Sequence, residues 1–267
     1  MKNIGFMQGR LVPPEKNLIQ SFPIKKWRDE FKIASKLKLT LMEWTIDKKK
    51  FYNNPINNQK GINKIKILKK KYKIKIESIT CDFFMHAPYF KKNNEKTFKM
   101  LQDLISNAGK LNIKYLVIPL VDYGSLKNKY YEKIFINKTL KLKNILDKNK
   151  VRIIFESDYS PNKLLDFINK FPKKNFGINY DLGNSAGLNY KLKNELIYFH
   201  RVLNIHLKDK DNKNVSVELG TGRSNFKDLF NYCKKIKYKG NYIFQTARSN
   251  NDIDVMKTNI KFIKKFL

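Results

Sequence analysis

The chain has 267 residues, 42% of them hydrophobic and 13% aromatic, a make-up that suits one large globular domain and excludes a disordered chain. Its formal charge of +33 raises nucleic-acid binding, yet only six of its basic residues are arginine (Arg10, Arg28, Arg152, Arg201, Arg223, Arg248). Proteins that read bases or phosphates favour the arginine fork. The lysines fall mostly on predicted helix faces and rise together with Asn, Ile and Phe, as an AT-rich coding sequence would produce, so no specific nucleic-acid partner is expected.

No apolar run approaches the ~18 residues of a membrane helix. The opening MKNIGFMQGRLVPP lacks the apolar stretch and cleavage site of a secretory signal. Cys81 and Cys233 are too few for a disulfide framework and match no zinc spacing. The expectation is a cytoplasmic protein without a membrane partner.

The first strand is Asn3–Met7, followed by Gln8-Gly9-Arg10 and a proline-containing loop. A helix is predicted over Ile24–Lys38, with Trp27, Phe31 and Ala34 on one buried face. The second strand, Thr40–Thr45, carries Glu43 and Trp44. A second helix ends near Tyr72, and the third strand, Ile74–Cys81, runs on into Asp82 and His86. Helix Glu95–Leu111, strand Ile113–Leu120, helix Lys129–Lys148 and strand Val151–Ser157 follow. Pro161–Phe171 reads as a helix opened by proline, then come strand Phe176–Asp181, helix Lys191–Phe199 and strand Val202–Leu207. A long polar loop ends in Gly220-Thr221-Gly222-Arg223. Helix Phe226–Ile236, capped by Ser224 or Asn225, leads to the eighth strand, Asn241–Gln245, and the last helix, Asp252–Phe266.

Eight strand–helix units with no linker or composition break predict an α/β chain, a single (β/α)8 TIM barrel domain over residues 1–267. The doubly wound alternative would need a glycine-rich phosphate turn after the first strand, and Gly5-Phe6-Met7-Gln8-Gly9 is not one.

In such a barrel the C-terminal strand ends face the active site. The groups falling there are Arg10, Glu43, Asp82, His86, Asp122, Glu156, Asp181, His206, Lys208, Gln245 and Arg248. Glu156, Asp181 and His206 end three consecutive strands. With the amide oxygen of Gln245 they make a mixed oxygen and nitrogen set without thiolate, suited to one divalent metal ion, Mn2+, Mg2+, Zn2+ or Co2+. Glu156 is the first choice of general base, with Glu43, His86 and Lys208 in reserve. Gly220, Gly222 and Arg223 could receive an anion before a helix, Arg10 and Arg248 could reach the same mouth, and Trp44 could stack on a sugar face.

FES at Glu156, NYDLGN at Asp181, NIHLKD at His206 and the GTGRSNF segment resemble the xylose isomerase-like barrels, a superfamily of sugar and sugar-phosphate isomerases and epimerases that also contains endonuclease IV. MQGRL at the start is typical of a sugar phosphate isomerase/epimerase subgroup. The resemblance spans essentially the whole chain. It implies a metal-dependent isomerase or epimerase that moves a proton next to a carbonyl through an enediolate. Its partner would be a small sugar or sugar phosphate, with a homodimer left open.

Two positions depart from the pattern. Family epimerases carry a second acid/base Glu at the end of the eighth strand, where this chain has Gln245, and often a His three residues after the sixth-strand Asp, where it has Asn184. An amide ligates but cannot exchange a proton at neutral pH. A dehydratase or hydrolase on the same metal site, or a non-catalytic sugar-binding barrel, therefore stay open. Endonuclease IV chemistry is disfavoured, because its histidine-rich zinc cluster cannot be built from His86, His200 and His206.

Overall fold

The computed structural model describes residues 3–15, 20–47, 51–91, 94–249 and 251–267. Eight parallel strands close into a barrel: β1 (Ile4–Met7), β2 (Leu41–Thr45), β3 (Lys75–Thr80), β4 (Tyr115–Leu120), β5 (Arg152–Ser157), β6 (Phe176–Asp181), β7 (Val202–Leu207) and β10 (Asn241–Phe244). The order around the barrel is β1-β10-β7-β6-β5-β4-β3-β2. A two-stranded hairpin, β8 (Asp209–Lys210) with β9 (Ser216–Val217), stands apart from it.

The helices are α1 (Asp29–Lys36), α2 (Gln59–Tyr72), α3 (Asp82–His86), α4 (Glu95–Lys110), α5 (Lys129–Leu140), α6 (Lys143–Asn149), α7 (Pro161–Asn169), α8 (Leu182–Gly187), α9 (Leu192–Glu195), α10 (Phe226–Lys235) and α11 (Asp252–Lys264). Their buried faces follow the helical repeat. In α4 these are Thr97, Met100, Leu101, Leu104, Ile105 and Ala108.

Strand side chains alternate between the helical layer and the barrel interior. Met42, Trp44, Phe155, Ile178 and Phe244 join the large core under the helices. Met7, Leu41 and Ile243 form a separate apolar cluster on the interior strand faces. The same faces carry Glu43, Ser78, Asn179, Asn204 and His206, each at most 2% exposed. Barrel interiors are ordinarily filled by branched apolar residues, so a polar layer at this level marks where function begins.

The eight strands form where expected, within a residue or two at their ends. The helix expected over Lys129–Lys148 is two helices, because the chain tightens into three-residue turns at Lys141 and Leu142, whose N–H groups bond to Lys138 and Thr139. The expected helix Lys191–Phe199 is only α9 followed by a 3-10 segment, Leu196–Arg201. The one-turn helices α3 and α8 and the hairpin were too short to leave a periodic signal.

Candidate metal centre and active site

Glu156, Asp181 and His206 stand on the interior faces of β5, β6 and β7, each two residues along from Ile154, Asn179 and Asn204. One ligand atom from each lies within 4.8 Å of the others, and all three residues are buried. His206 Nδ1 is 3.3 Å from Glu156 Oε2 and 4.0 Å from Asp181 Oδ2.

The other ring nitrogen is committed. His206 Nε2 is 2.8 Å from Glu43 Oε1, deep in the interior. Glu43 Oε2 in turn accepts from Ser78 Oγ at 2.7 Å and Asn204 Nδ2 at 3.0 Å. Glu43 is 0% exposed and lies beneath the cluster, with both oxygens engaged. It therefore orients His206 and does not stand at the mouth as a base. A carboxylate on the far nitrogen fixes the tautomer and turns Nδ1 toward the other two ligands. The imidazole is held well above its usual range. Burial, the largest single influence, works against the charged form, but the charge of Glu43 and hydrogen bonds to Glu156 and Glu43 outweigh it. In this state a proton supplies the positive charge that the carboxylates demand.

Two asparagines position Glu156. Asn179 Nδ2 donates to Oε2 at 2.9 Å, and Asn184 Nδ2 donates to Oε1 at 2.7 Å. Asn179 is tied to the lower layer through Asn204, which donates to its Oδ1 at 2.7 Å. Asp181 begins α8: its Oδ1 accepts from Asn184 N at 2.8 Å, and its Oδ2 is buried with no hydrogen-bond donor. Lys208 Nζ lies 3.7 Å from that oxygen. Gln245 follows β10, its Nε2 donating to Gln20 Oε1 at 3.3 Å while its Oε1 is buried without a partner. A Glu–Asp–His cluster whose Asp181 Oδ2 is buried without a donor fits a divalent cation, and Gln245 Oε1, at the end of the adjacent strand, is a second buried oxygen without one. The residues present therefore suit the metal.

Asp82 caps the far side of the mouth. Its Oδ1 accepts from Thr80 Oγ1 at 3.2 Å and its Oδ2 from the Gln20 amide. Burial, then the charge of Glu156, push its pKa up to about 7, against the pull of Thr80 and His206. His86, at the other end of α3, is exposed at the rim.

Other expected substrate contacts serve the scaffold. Trp44 is 0% exposed, packs on Phe22 and Trp27 and donates Nε1–H to Asn54 Oδ1 at 2.9 Å. It faces outward from β2, one residue out of phase with Glu43, so it cannot stack on a ligand in the mouth. The backbone N–H groups of Gly220 and Gly222 donate to Asp209 Oδ2 at 2.9 and 3.0 Å, and those of Lys210 and Ser224 donate to its Oδ1. The donors expected for an external anion thus hold an internal one. Arg223 bonds to Asp211 O, Asn189 Oδ1 and Asn214 Oδ1, stapling the hairpin. Arg248 joins Val12 O to Asp252, tying the loop after β1 to α11. Arg10 does approach the mouth, its Nη2 lying 3.5 Å from Gln20 Oε1. Burial, then Arg248, lower its pKa to about 10, so it remains a cation at neutral pH.

Asn179, Asn204, Ser78 and Gln20 were not among the expected site residues. Asn179 and Asn204 share strand parity with Asp181 and His206, and Ser78 with Asp82, and that parity was the available signal. Gln20 sits in a loop and gave none.

The model of the xylose isomerase-like TIM barrel family matches residues 31–266. The chain belongs to this family. No curated protein matches it in sequence. Among solved structures it is similar to a D-allulose 3-epimerase from Methylomonas sp., at TM-score 0.76 and 15% identity, covering 100% of this chain and 98% of that one. A 3-keto-D-glucoside 4-epimerase from E. coli matches at TM-score 0.75 and 13% identity over 99% and 100% of the two chains. A xylose isomerase-like barrel from Mycobacterium smegmatis, in complex with magnesium, matches at 0.75 and 15% over 99% and 96%. At such identities these likenesses establish the shared fold.

Proposed function

We propose that the chain is a divalent-metal-dependent isomerase or epimerase of a sugar or sugar derivative, moving a proton on the carbon next to a carbonyl. The observation that carries this reading is the buried Glu156–Asp181–His206 cluster with Asp181 Oδ2 left without a donor. A magnesium-bound family barrel and two sugar epimerases among its structural neighbours support it.

Glu156, Asp181, His206 and Gln245 Oε1 would hold the ion, Mn2+, Mg2+, Zn2+ or Co2+. When bound, it would supply Lewis-acid polarisation of a carbonyl oxygen and neutralise the carboxylates. Glu156 would take the proton from the substrate carbon, its carboxylate aimed by Asn179 and Asn184. Glu43 would keep His206 Nδ1 turned toward the site. Lys208, beside Asp181, would counter the negative charge that develops on substrate oxygen. Arg10, whose Nε donates to Thr246 O and whose Nη2 donates to Gln20 Oε1, would be the cation nearest an anionic substituent. A phosphate ester is one such substituent.

Gln245 favours a second reading, in which the same centre runs a dehydration or hydrolysis with one carboxylate as base. No helix among the described residues is long and apolar enough to cross a membrane.

The first test is elemental analysis of protein purified without chelator, beside a Glu156→Ala/His206→Ala double variant. About one equivalent of metal in the wild type, lost in the variant, is the expected result. A wild type that takes up no ion even from excess Mn2+ would refute the centre.

A further inference from the structure

The reaction proposed above needs a proton acceptor on one face of a carbon and, for inversion, a proton donor on the other. The eighth strand ends in Gln245, whose amide does neither at neutral pH. The carboxyl groups around the mouth can be sorted by what already holds them. Glu43 is enclosed, with His206, Ser78 and Asn204 on its oxygens. Asp181 caps α8 with one oxygen and turns the other to the cluster. Asp209 gathers four backbone N–H groups. Asp122 is exposed in a turn at φ 49°.

Asp82 differs from all of these. It follows β3 directly, is only half-buried, and its partners, Thr80 Oγ1 and the Gln20 amide, are both neutral. It is not a member of the Glu156–Asp181–His206 cluster, yet the charges of Glu156, His206 and Glu43 act on it. A carboxyl at the mouth but outside the ligand set is where a proton carrier to a held substrate belongs. Gln20 supplies the link to the vacant position: its amide donates to Asp82 while its carbonyl accepts from Gln245 Nε2 and Arg10 Nη2. The side chain that replaces the family's glutamate is thus joined through one glutamine to a carboxyl at the end of β3, with β1 and β2 between the two strands.

We propose that Asp82 is the second acid/base residue of this enzyme, supplying from the end of β3 the proton transfer that Gln245 cannot supply from the end of β10. The inference rests on the isomerase/epimerase reading. Glu156 removes the proton next to the carbonyl, the C–H pair becomes the new C=C bond, and the carbonyl pair moves onto oxygen. Protonated Asp82 then gives its proton to the other face of the same carbon, and the oxygen pair restores the C=O. One proton leaves the sugar and one enters, so the product is an epimer, and solvent resets the two carboxyls. Starting from that epimer, Asp82 is the acceptor and Glu156 the donor. A pKa near 7, raised by burial and by Glu156, suits a group that must work in both forms.

The test uses Mn2+-loaded full-length wild type, Asp82→Asn and Asp82→Glu in D2O. The probes are a panel of 2-ketohexoses and 2-ketopentoses, free and as terminal phosphate esters, each offered as both epimers and followed by NMR. Mn2+ affinity is measured alongside by calorimetry. Asp82→Asn is expected to bind Mn2+ within about twofold of wild type and to keep proton–deuteron exchange from one epimer. Exchange from the other epimer, and inversion, should fall by about 100-fold or more, with partial rescue in Asp82→Glu. Inversion by Asp82→Asn within threefold of wild type overturns the inference. So does a tenfold loss of Mn2+ affinity, which would make Asp82 a ligand, and so does loss of exchange from both epimers with Mn2+ still bound. Wild type that exchanges without inverting removes the two-face scheme and leaves the metal-dependent reading standing. Wild type that binds Mn2+ but exchanges no proton from any probe removes both.

Discussion

Replacing Glu43 by glutamine asks whether the polar layer inside the barrel governs the metal centre. Three donors converge on the Glu43 carboxylate: His206 Nε2 at 2.8 Å, Ser78 Oγ at 2.7 Å and Asn204 Nδ2 at 3.0 Å. Glutamine keeps the volume and can accept from His206 through its single oxygen. Its NH2 then faces Ser78, whose hydroxyl can turn to accept, and Asn204, whose amide cannot do so while it donates to Asn179. One buried donor is left opposed, and the ring loses its anionic partner. Loss of such an outer partner typically lowers metal affinity 10- to 100-fold, or about 1.4–2.8 kcal/mol. The apo fold should lose on the order of 3 kcal/mol, since charge-assisted bonds are exchanged for a mismatched neutral set. Competition with a calibrated chelator measures the first quantity, and denaturant unfolding of the apo form measures the second. A Glu43→Gln protein that binds Mn2+ within twofold of wild type would refute the positioning role. If it did so while losing turnover, Glu43 would be a base after all.

Three further substitutions separate scaffold from site. Trp44→Ala should cost about 3–5 kcal/mol through the cavity it leaves beneath α1, with Mn2+ affinity unchanged; a sugar-stacking role would show the reverse in ligand titrations. Asp209→Asn turns an NH2 toward backbone N–H groups that now donate to a carboxylate, and should cost about 2–4 kcal/mol and open the 208–224 segment to limited proteolysis. An unaltered cleavage pattern would mean that this carboxylate does not organise the loop. Glu30 is buried at 0% exposure, with Oε1 accepting from Gly9 N at 2.8 Å and Leu11 N at 3.1 Å. Burial pushes its pKa to about 8, against those bonds and Arg248 and Arg10. The fold therefore keeps this proton after the unfolded chain has released it. The associated stability is complete below about pH 4.5 and is lost as the pH rises toward 8, by at most on the order of 5 kcal/mol. Glu30→Gln should gain on wild type steadily from pH 5 to pH 8 in denaturant midpoints; a constant difference would show that Glu30 does not titrate in this window.

The barrel was legible because each strand is a short apolar run closed by polar residues, and because helical spacing recurs between them. The three cluster residues were legible for the same reason: position at a strand end is a property of the sequence. What lay behind them was less so. Glu43 reads as one more strand-end carboxylate, and only the closure of the barrel, with β1 and β10 between β2 and β7, brings it onto His206, 163 positions away. Gly220 and Gly222 read as an anion cradle, and nothing local reveals that Asp209 already fills it. Trp44 was misplaced by one step of strand alternation. Glu30, on a helix with charged neighbours, reads as a solvated face, although its carboxyl group fixes the loop that carries Arg10.

The layer of Glu43, Ser78, Asn179, Asn204 and His206 replaces apolar filler that would hold a barrel together at lower cost. Its members bond mainly to one another and upward to Glu156, so each ligand-bearing strand is cross-linked to its neighbours just below the mouth. Half-satisfied, such a network would be worse than an apolar plug. The donors of the layer have partners, and the atoms left without one are acceptors: Asn204 Oδ1 inside the layer, and Asp181 Oδ2 and Gln245 Oε1 above it. A chain carrying a net charge of +33 thus concentrates buried carboxylates and unmet oxygens at one end of its barrel. A cation held there would relieve that arrangement, and an ion that binds the folded form alone stabilises it by RT ln(1 + [L]/Kd). On the metal-dependent reading the polar layer would fix the ligand geometry and the unmet oxygens would face the ion.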